Sequence, residues 1–246
     1  MDLADKMKDH MMAQGADILR ARVTGISLEG DKKVVHTQKE KIYGKTVILA
    51  AGAVHRKLAV PGEEELTGRG VSYCATCDGA FFRDKTVAVI GGGDVAVEDA
   101  IFLARGCKKV YMIHRRDELR AAKSLQDALF ATPQVEMCWN RTVSEIGGEN
   151  QVQWITVDST VGEESLRLDV DGVFVAVGIT PDTEFVKDLV ELDASGYIVA
   201  GEDGKTSVPG IYAAGDIRTK PLRQIITAAA DGANCITSVE EYLRTM

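Results

Sequence analysis

Short, uninterrupted runs of apolar residues recur along the chain, each bounded by glycine, proline or charged residues. Runs of this kind are typical of β-strands that are buried on both faces of a sheet. They predict strands at 46–50, 86–90, 109–113, 172–177 and 210–214. Apolar residues at helical spacing predict helices at 2–14, 94–105, 122–130 and over roughly the last twenty residues.

More polar segments predict further strands. Two strands, at 16–28 and 33–38, flank a turn at Glu29-Gly30-Asp31. Shorter strands are predicted near 135–138, 142–146, 151–158 and 165–169. Because strands and helices alternate along the chain, we expect an α/β fold with parallel sheets.

A glycine-rich turn follows the predicted strand 86–90 and opens the predicted helix 94–105. Gly91, Gly93 and Ala96 fit the pattern G-x-G-x-x-A, which in this context indicates a dinucleotide site. The first glycine permits a tight turn, and the second lets the backbone approach a pyrophosphate. The small third residue lets helix and strand pack closely. The alternative is an ordinary turn between a strand and a helix.

The end of the next predicted strand indicates which dinucleotide binds. A site for NAD would place an acidic residue there to hold the ribose 2′-hydroxyl. This chain instead has His114, Arg115 and Arg116, followed by Arg120. Guanidinium groups suit a 2′-phosphate, so we expect NADPH. The alternative is a solvated basic cluster.

Cys74 and Cys77 form a C-x-x-C pair, which has three interpretations. Structural zinc needs four ligands, and the chain has no second C-x-x-C pair to supply them. The second interpretation is a pair of inert buried thiols. The third and favoured interpretation is a dithiol/disulfide couple, with Asp78 as a candidate proton donor and acceptor. Thiols do not readily accept a hydride pair from NADPH, so we expect a flavin between the two.

Composition and charge argue against several classes of function. The net charge of −8 disfavours nucleic acid or an anionic membrane as the main partner. No apolar run approaches the length needed to span a bilayer. The charged N-terminus lacks the apolar core of a signal peptide. Five cysteines, of which only two are close in sequence, do not suggest a secreted disulfide framework. We therefore expect a cytoplasmic protein without a metal site.

Several motifs occur in a characteristic order along the chain. They are CATCD at 74–78, GGGDVAVE at 91–98, HRRDELRA at 114–121, GITP at 178–181, GIYAAGD at 210–216 and RQIITAAADG at 223–232. Together they resemble the motifs of bacterial thioredoxin reductases of the low-molecular-weight type. The resemblance implies two Rossmann-like domains, one inserted in the other, with the FAD domain incomplete. The expected boundaries are 1–56 and 184–246 for the FAD-binding domain and 57–183 for the NADPH-binding domain.

The resemblance also implies an activity. A homodimer of this family passes electrons from NADPH through FAD to the Cys74–Cys77 disulfide and then to thioredoxin. Cys77 would lie nearest the flavin, Cys74 would attack thioredoxin, and Asp78 would be the acid and base. The residues expected to bind NADPH are Gly91, Gly92, Gly93, Asp94, His114, Arg115, Arg116 and Arg120. Those expected to bind FAD are Gly215 and Asp216 on the ribityl-phosphate side and Arg223, Gln224 and Ile225 near the isoalloxazine ring.

One feature of the family is missing from this sequence. Reductases of this type begin with a strand, a G-x-G-x-x-G turn and a helix that bind the FAD pyrophosphate, and no paired glycines precede Gly91 here. We therefore expect about sixty residues of the family pattern to be absent, more than one ~30-residue βαβ unit. The strand at 16–23 would then lack its partner, and the strand at 46–50 would have an exposed edge. Two functions stay open: the reductase, and a non-catalytic NADPH-binding or dimer-forming remnant without FAD.

Overall fold

The computed structural model describes residues 3–246 and divides them into two units. Unit 1 combines residues 3–54 with Thr180–Met246, and unit 2 is His55–Ile179. The chain passes between the units through two short strands that pair with each other, Ala53–His55 and Ile179–Pro181. Unit 2 is therefore an insertion in the chain of unit 1.

The first part of the chain contains α1 (Leu3–Ala13), β1 (Val23–Glu29), β2 (Lys32–Thr37), β3 (Lys41–Gly44), β4 (Val47–Leu49) and β5 (Ala53–His55). The middle part contains β6 (Val71–Ser72), α2 (Ala75–Asp78), β7 (Thr86–Gly91), α3 (Asp94–Ala104), β8 (Lys109–Ile113), α4 (Lys123–Phe130), β9 (Val135–Cys138), β10 (Arg141–Gly147), β11 (Trp154–Ser159), β12 (Leu166–Asp169) and β13 (Gly172–Ala176). The last part contains β14 (Ile179–Pro181), β15 (Ile211–Ala213) and α5 (Ile225–Arg244). Short 3-10 helices lie at Gly79–Phe82, Glu184–Val186 and Gly215–Ile217.

The centre of unit 2 is a five-stranded parallel sheet in the order β6-β13-β7-β8-β9. On β7, Val87 and Val89 pack with α3 on one face, whereas Ala88 and Ile90 pack in a second core on the other face. The strand is buried on both sides, which explains its uninterrupted apolar sequence. The predicted α/β class with a Rossmann-like sheet is confirmed.

Different kinds of secondary structure pack against the two faces of this sheet. Helices α3 and α4 cover one face. The other face packs against Ile146, Ile155 and Val157 of the antiparallel sheet β10-β11-β12. These three strands were predicted from the sequence, but their antiparallel pairing was not. They are antiparallel because each follows the last after a short turn, and only antiparallel neighbours can be joined in that way.

Unit 1 contains an antiparallel sheet, β1-β2-β3, and a parallel pair formed by β4 and β15. On β15, Ile211 and Ala213 join a core that contains Leu49. The alternate residue Tyr212 packs with Cys235 of α5. Within residues 3–246, β4 has β15 as its one partner strand, which agrees with the expected exposed edge.

The prediction of a strand over 16–28 is wrong in its first part. β1 begins only at Val23, and residues 16–22 are exposed and form no strand. Their backbone N–H and C=O groups have no neighbouring strand among the described residues with which to form a ladder, and a strand is defined by such pairing. The predicted helix over 2–14 is present as α1; its residue 2 lies outside the described residues.

Candidate functional site

Cys74 and Cys77 flank one helical turn and are joined by a disulfide bond, with their Cα atoms 5.3 Å apart. Cys74 caps α2, and its Sγ accepts a 3.2 Å hydrogen bond from the backbone N–H of Cys77. Cys77 is exposed and Cys74 is half-buried, so an external reagent can reach the pair. Sulfurs bonded to each other offer no thiolate to a metal, which favours the redox interpretation.

Asp78 ends this helical turn and is half-buried. Its Oδ2 accepts a 2.6 Å hydrogen bond from the hydroxyl of Ser72, which is buried at the end of β6. Ser72 was not predictable as a site residue, because a serine within a short strand carries no signal of its own. The carboxylate expected to act as acid and base is thus held by the parallel sheet.

The glycine-rich turn lies at the carboxyl end of β7 and leads into α3. A Cβ added at Gly91 would lie 2.5 Å from the Cβ of Ala96 and 2.6 Å from the carbonyl oxygen of Ala176. A Cβ added at Gly93, the N-cap of α3, would meet no atom within 4 Å. Gly91 is therefore required by packing within the protein, whereas Gly93 leaves its backbone open to a ligand.

The ring of His114 lies against the same turn. A Cβ added at Gly92 would come within 2.2 Å of its Cε1 atom. Its Nδ1 lies 2.9 Å from the carbonyl oxygen of Gly91, and the backbone N–H of Arg120 donates a 2.7 Å hydrogen bond to the carbonyl of Gly92. Burial lowers the pKa of His114 from its usual value of 6.5, so the ring is neutral at pH 7 and donates through Nδ1.

Arg115, Arg116 and Arg120 are exposed around the turn. None of the three forms an ion pair within the part of the chain that the structure describes. The Oδ1 of Asp94 accepts a 2.7 Å hydrogen bond from the backbone N–H of Ala122, which fixes the far end of the arginine segment to α3. The backbone that carries the three arginines is thus anchored, and their exposed guanidinium groups remain available to an anion.

A cavity of about 410 Å³ opens beside the turn, lined by the carboxyl ends of β7, β8 and β13. Five cationic side chains border it: Arg56, Lys57, Arg115, Arg120 and Arg141. Sequence reasoning missed three of them, since residues 56, 57 and 141 lie far from the motif in sequence and are brought to it by folding. Arg141 is buried and pairs with the carboxylate of Glu163.

The expected flavin residues lie in unit 1. Gly215 has a φ of +77°, a conformation that favours glycine, and its N–H donates a 2.8 Å hydrogen bond to Oδ2 of Asp231. Beside it, Oδ1 of Asp216 is buried and has no hydrogen-bond partner within residues 3–246. A buried acceptor without a donor is costly, and a hydroxyl group of a ligand would supply one.

Asp231 of α5 is the centre of a buried ion network that sequence reasoning did not assign. Its Oδ1 accepts a 2.6 Å hydrogen bond from Arg218, and its Oδ2 accepts one of 2.7 Å from Lys220. Burial alone would raise the pKa of Asp231, but these hydrogen bonds and that from Gly215 outweigh it and hold the pKa at about 2. The network fixes the turn that carries Gly215 and Asp216.

Arg223, Gln224 and Ile225 lie at the start of α5. The guanidinium of Arg223 lies 4.0 Å from the ring centroid of Tyr197, and its Nε is buried with no hydrogen-bond partner in the described part of the chain. Gln224 caps the helix through reciprocal hydrogen bonds with Thr227. The side chain of Ile225 is 66% exposed. An unpartnered donor and an uncovered apolar side chain thus lie close together in sequence.

A second buried carboxylate, Glu63, joins the start of unit 2 to Tyr73, the residue before the redox pair. Glu63 is 2% exposed and accepts hydrogen bonds from the backbone N–H groups of Leu58 and Ala59 and from the hydroxyl of Tyr73. Tyr73 directly precedes the first cysteine, and burial and Glu63 together raise its pKa. Glu63 was not predictable as a buried residue, because it lies in a charged run that is typical of a solvated surface.

Unit 2 thus carries two sites at different places. The redox turn packs with α3 on the helical face of the sheet, while the basic cavity opens at the carboxyl ends of the strands beside β10. Within residues 3–246, no group of three or more His, Cys, Asp or Glu side chains is placed to hold a metal ion. No helix in the same described range has both the length and the hydropathy needed to cross a bilayer.

Comparison with known proteins identifies the family. A family model described as pyridine nucleotide-disulphide oxidoreductase matches residues 5–232. The thioredoxin reductase of Peptoclostridium acidaminophilum is 43% identical over 98% of this chain and 78% of its own length, and that of Listeria innocua is 45% identical over 100% and 77%. The crystal structure of thioredoxin reductase from Streptococcus pyogenes matches with a TM-score of 0.94 and 45% identity, over 99% of this chain and 80% of that one. The chain therefore belongs to the pyridine nucleotide-disulphide oxidoreductase family, and its resemblance to the bacterial thioredoxin reductases is confirmed.

Proposed function

We propose that this protein is a flavoprotein disulfide reductase that passes electrons from NADPH through FAD and the Cys74–Cys77 disulfide to thioredoxin. The observation that carries the proposal is the disulfide itself, accessible on the surface of the unit that also holds the dinucleotide turn. The resemblance of the chain to thioredoxin reductases supports its assignment as a thioredoxin-disulfide reductase.

NADPH is the proposed electron donor. Its pyrophosphate would lie at the N-terminus of α3, over the turn residues 91–94, where free backbone N–H groups and the helix dipole attract an anion. The 2′-phosphate would bind Arg115, Arg116 and Arg120, which form no ion pair with a carboxylate of residues 3–246. The neutral ring of His114 would form one wall of the site.

FAD is proposed to bind unit 1, so that residues 1–56 and 184–246 form an FAD-binding domain and 57–183 an NADPH-binding domain. The fit rests on the buried Oδ1 of Asp216, which needs a donor that a ribityl hydroxyl would provide. Gly215 would approach the same part of the cofactor, and residues 223–225 would border the isoalloxazine ring. When bound, the flavin supplies the chemistry that takes up a hydride and reduces a disulfide.

The two cysteines would divide the remaining chemistry. In the reduced enzyme, the Cys74 thiolate attacks one disulfide sulfur of thioredoxin, and the electron pair of the broken bond leaves on the other sulfur. Cys77 then attacks Cys74, which re-forms the disulfide and releases thioredoxin with both thiols reduced. Asp78 would give and take the proton on the cysteine sulfurs. Cys77 is also the proposed partner of the flavin.

The protein is proposed to form a homodimer and to be located in the cytoplasm. Leu3, Met7 and Met11 recur at helical spacing on α1 and are all exposed, and no residue of this helix is buried. An apolar helix face of this kind favours association with a second copy. Three cysteines outside the redox pair remain unbonded, as a reducing compartment allows.

The visible absorption spectrum of the purified 246-residue chain tests the proposal. Recorded without oxygen, it is expected to show a flavin that bleaches on addition of NADPH, and thiol titration is expected to find two additional thiols. A Cys74→Ser/Cys77→Ser variant is the control, because it binds NADPH but gains no thiols. A colourless protein that still binds NADPH would overturn the reductase proposal and support the non-catalytic NADPH-binding alternative.

A further inference from the structure

Ser72 contacts both ends of the redox motif. Its hydroxyl donates the 2.6 Å hydrogen bond to Oδ2 of Asp78, and its oxygen accepts a 3.1 Å hydrogen bond from the backbone N–H of Cys74. The carbonyl oxygen of Cys74 lies 3.3 Å from the same hydroxyl. A hydroxyl has one proton to donate, and the short distance to a carboxylate assigns it to Asp78.

The redox turn needs such an external anchor. α2 has four residues, and an isolated helical turn fixes several dihedral angles for one hydrogen bond. Within the turn, the backbone N–H of Asp78 donates to the carbonyl of Cys74 at 3.1 Å, so the backbone is closed but the carboxylate is not fixed. Ser72 is 5% exposed and sits in a strand paired with β13, which makes it a rigid support.

We propose that Ser72 is a positioning residue for the thiol–disulfide chemistry, acting through Asp78: it aims the carboxyl group at the sulfur that must be protonated. This inference deepens the proposed function and rests on the role given there to Asp78.

The step is a two-electron exchange that proceeds without the flavin. A dithiothreitol thiolate attacks Sγ of Cys74, a new S–S bond forms, and the Cys74–Cys77 bond breaks. The electron pair stays on Sγ of Cys77, and the proton that dithiothreitol releases on forming its thiolate reaches this sulfur through the carboxyl group of Asp78. The second dithiothreitol thiolate then displaces Cys74, so the reagent leaves as a cyclic disulfide and the protein gains two electrons as two thiols.

The test measures the rate at which dithiothreitol reduces the disulfide at pH 7, by quenching and counting thiols. Ser72→Ala is expected to slow reduction about tenfold, the loss of part of a general acid contribution. Ser72→Thr keeps the hydroxyl and is expected to restore the rate to within about threefold. In an Asp78→Asn background, Ser72→Ala is expected to have no further effect, because the serine acts through that carboxyl group.

Ser238→Ala is the matched control. Ser238 is also buried, at 4% exposure, and donates a hydrogen bond to the carbonyl of Asp203 in unit 1. It is expected to change the melting temperature without changing the reduction rate. If Ser72→Ala unfolds at the assay temperature, all variants are assayed at 10 °C, with the same expected slowing.

Three results separate the inference from the proposed function. If Asp78→Asn slows reduction but Ser72→Ala does not, the inference is wrong and the role of Asp78 stands. If Ser72→Ala slows reduction equally in the Asp78→Asn background, the serine acts by another route and the inference is again wrong. If Asp78→Asn itself has no effect, the proposed role of Asp78 fails, and the inference fails with it.

Discussion

Gly91 and Ala96 lie in such close contact that a Cβ on Gly91 would come within 2.5 Å of the Cβ of Ala96. The backbone of Gly91, at the end of β7, therefore packs directly against the methyl group of Ala96 in the first turn of α3. This contact sets where the N-terminus of the helix lies, and it leaves the next positions of the turn free for a ligand. Gly91 is thus needed for packing and Gly93 for access of the ligand, and substitutions can separate these two roles.

Gly91→Ala is expected to destabilise the protein, and Gly93→Ala is expected to weaken NADPH binding without loss of stability. The first forces a methyl group into Ala96 and a carbonyl oxygen, at a cost of about 1–3 kcal/mol. The second places a methyl group in open space on the ligand side. Urea denaturation and NADPH titration of both variants measure the two effects. Equal losses of stability would contradict the assignment.

Arg115→Ala/Arg116→Ala is expected to change which dinucleotide is preferred. Both guanidinium groups are exposed without a carboxylate partner in the described chain, so their charge is available to a 2′-phosphate. Their loss should weaken binding of 2′,5′-ADP by about 3–6 kcal/mol, the loss of two charge-assisted hydrogen bonds, and leave binding of 5′-ADP nearly unchanged. Calorimetry measures both. Arg105→Ala, at an exposed position beyond the end of α3, is the control. An unchanged preference would mean that the arginines are a solvated surface cluster.

Asp231→Asn is expected to destabilise unit 1 strongly. It removes the buried counter-ion that Arg218 and Lys220 share; the side chains of these two residues are 3% and 4% exposed. Breaking a buried ion pair from one side costs about 3–5 kcal/mol. Glu202→Gln is the control, because Glu202 pairs with the same arginine but is 84% exposed; its effect should be near zero. Similar effects of the two variants in chemical denaturation would show that the network contributes little.

The same aspartate gives a pH dependence of stability. Its pKa of about 2 in the folded protein lies below the usual 3.8, so the folded state binds fewer protons than the unfolded state between these values. The contribution, about 2–3 kcal/mol, is present above pH 4 and is lost as the pH falls towards 2. Acid unfolding followed by circular dichroism should show this loss in the wild type. Asp231→Asn should not lose stability in this way between pH 4 and pH 2. If the wild type and the variant unfold at the same acid midpoint, Asp231 is not the source of the pH dependence.

Cys77→Ser is expected to abolish reduction of thioredoxin and to leave NADPH binding intact. The disulfide is the proposed route for electrons, whereas the basic cavity shares no residue with the redox turn. Turnover with thioredoxin and titration with NADPH measure the two properties separately. Turnover at the wild-type rate would rule out the assigned role of the disulfide.

The strands of the parallel sheet were predictable because both of their faces are buried, so residues such as Val87 and Ala88 leave an uninterrupted apolar signal. The arginines were predictable because a local motif fixes their position. By contrast, Ser72, Glu63 and Arg141 act through contacts made only after folding. The prediction of a strand over 16–22 was wrong for the opposite reason. The sequence pattern there favours a strand, but a strand forms only where a neighbouring strand pairs with it.

The backbone N–H of Arg56 donates a 2.9 Å hydrogen bond to the carbonyl of Gly178, so the chain enters and leaves unit 2 at adjacent points. A unit with its own cores on both faces of its sheet and with its ends together is a transplantable module. It can be excised and closed by a short linker, or exchanged for the corresponding insert of another reductase. Because the dinucleotide turn and the redox disulfide both lie in unit 2, the exchange would transfer nucleotide preference and target disulfide together, without redesign of unit 1.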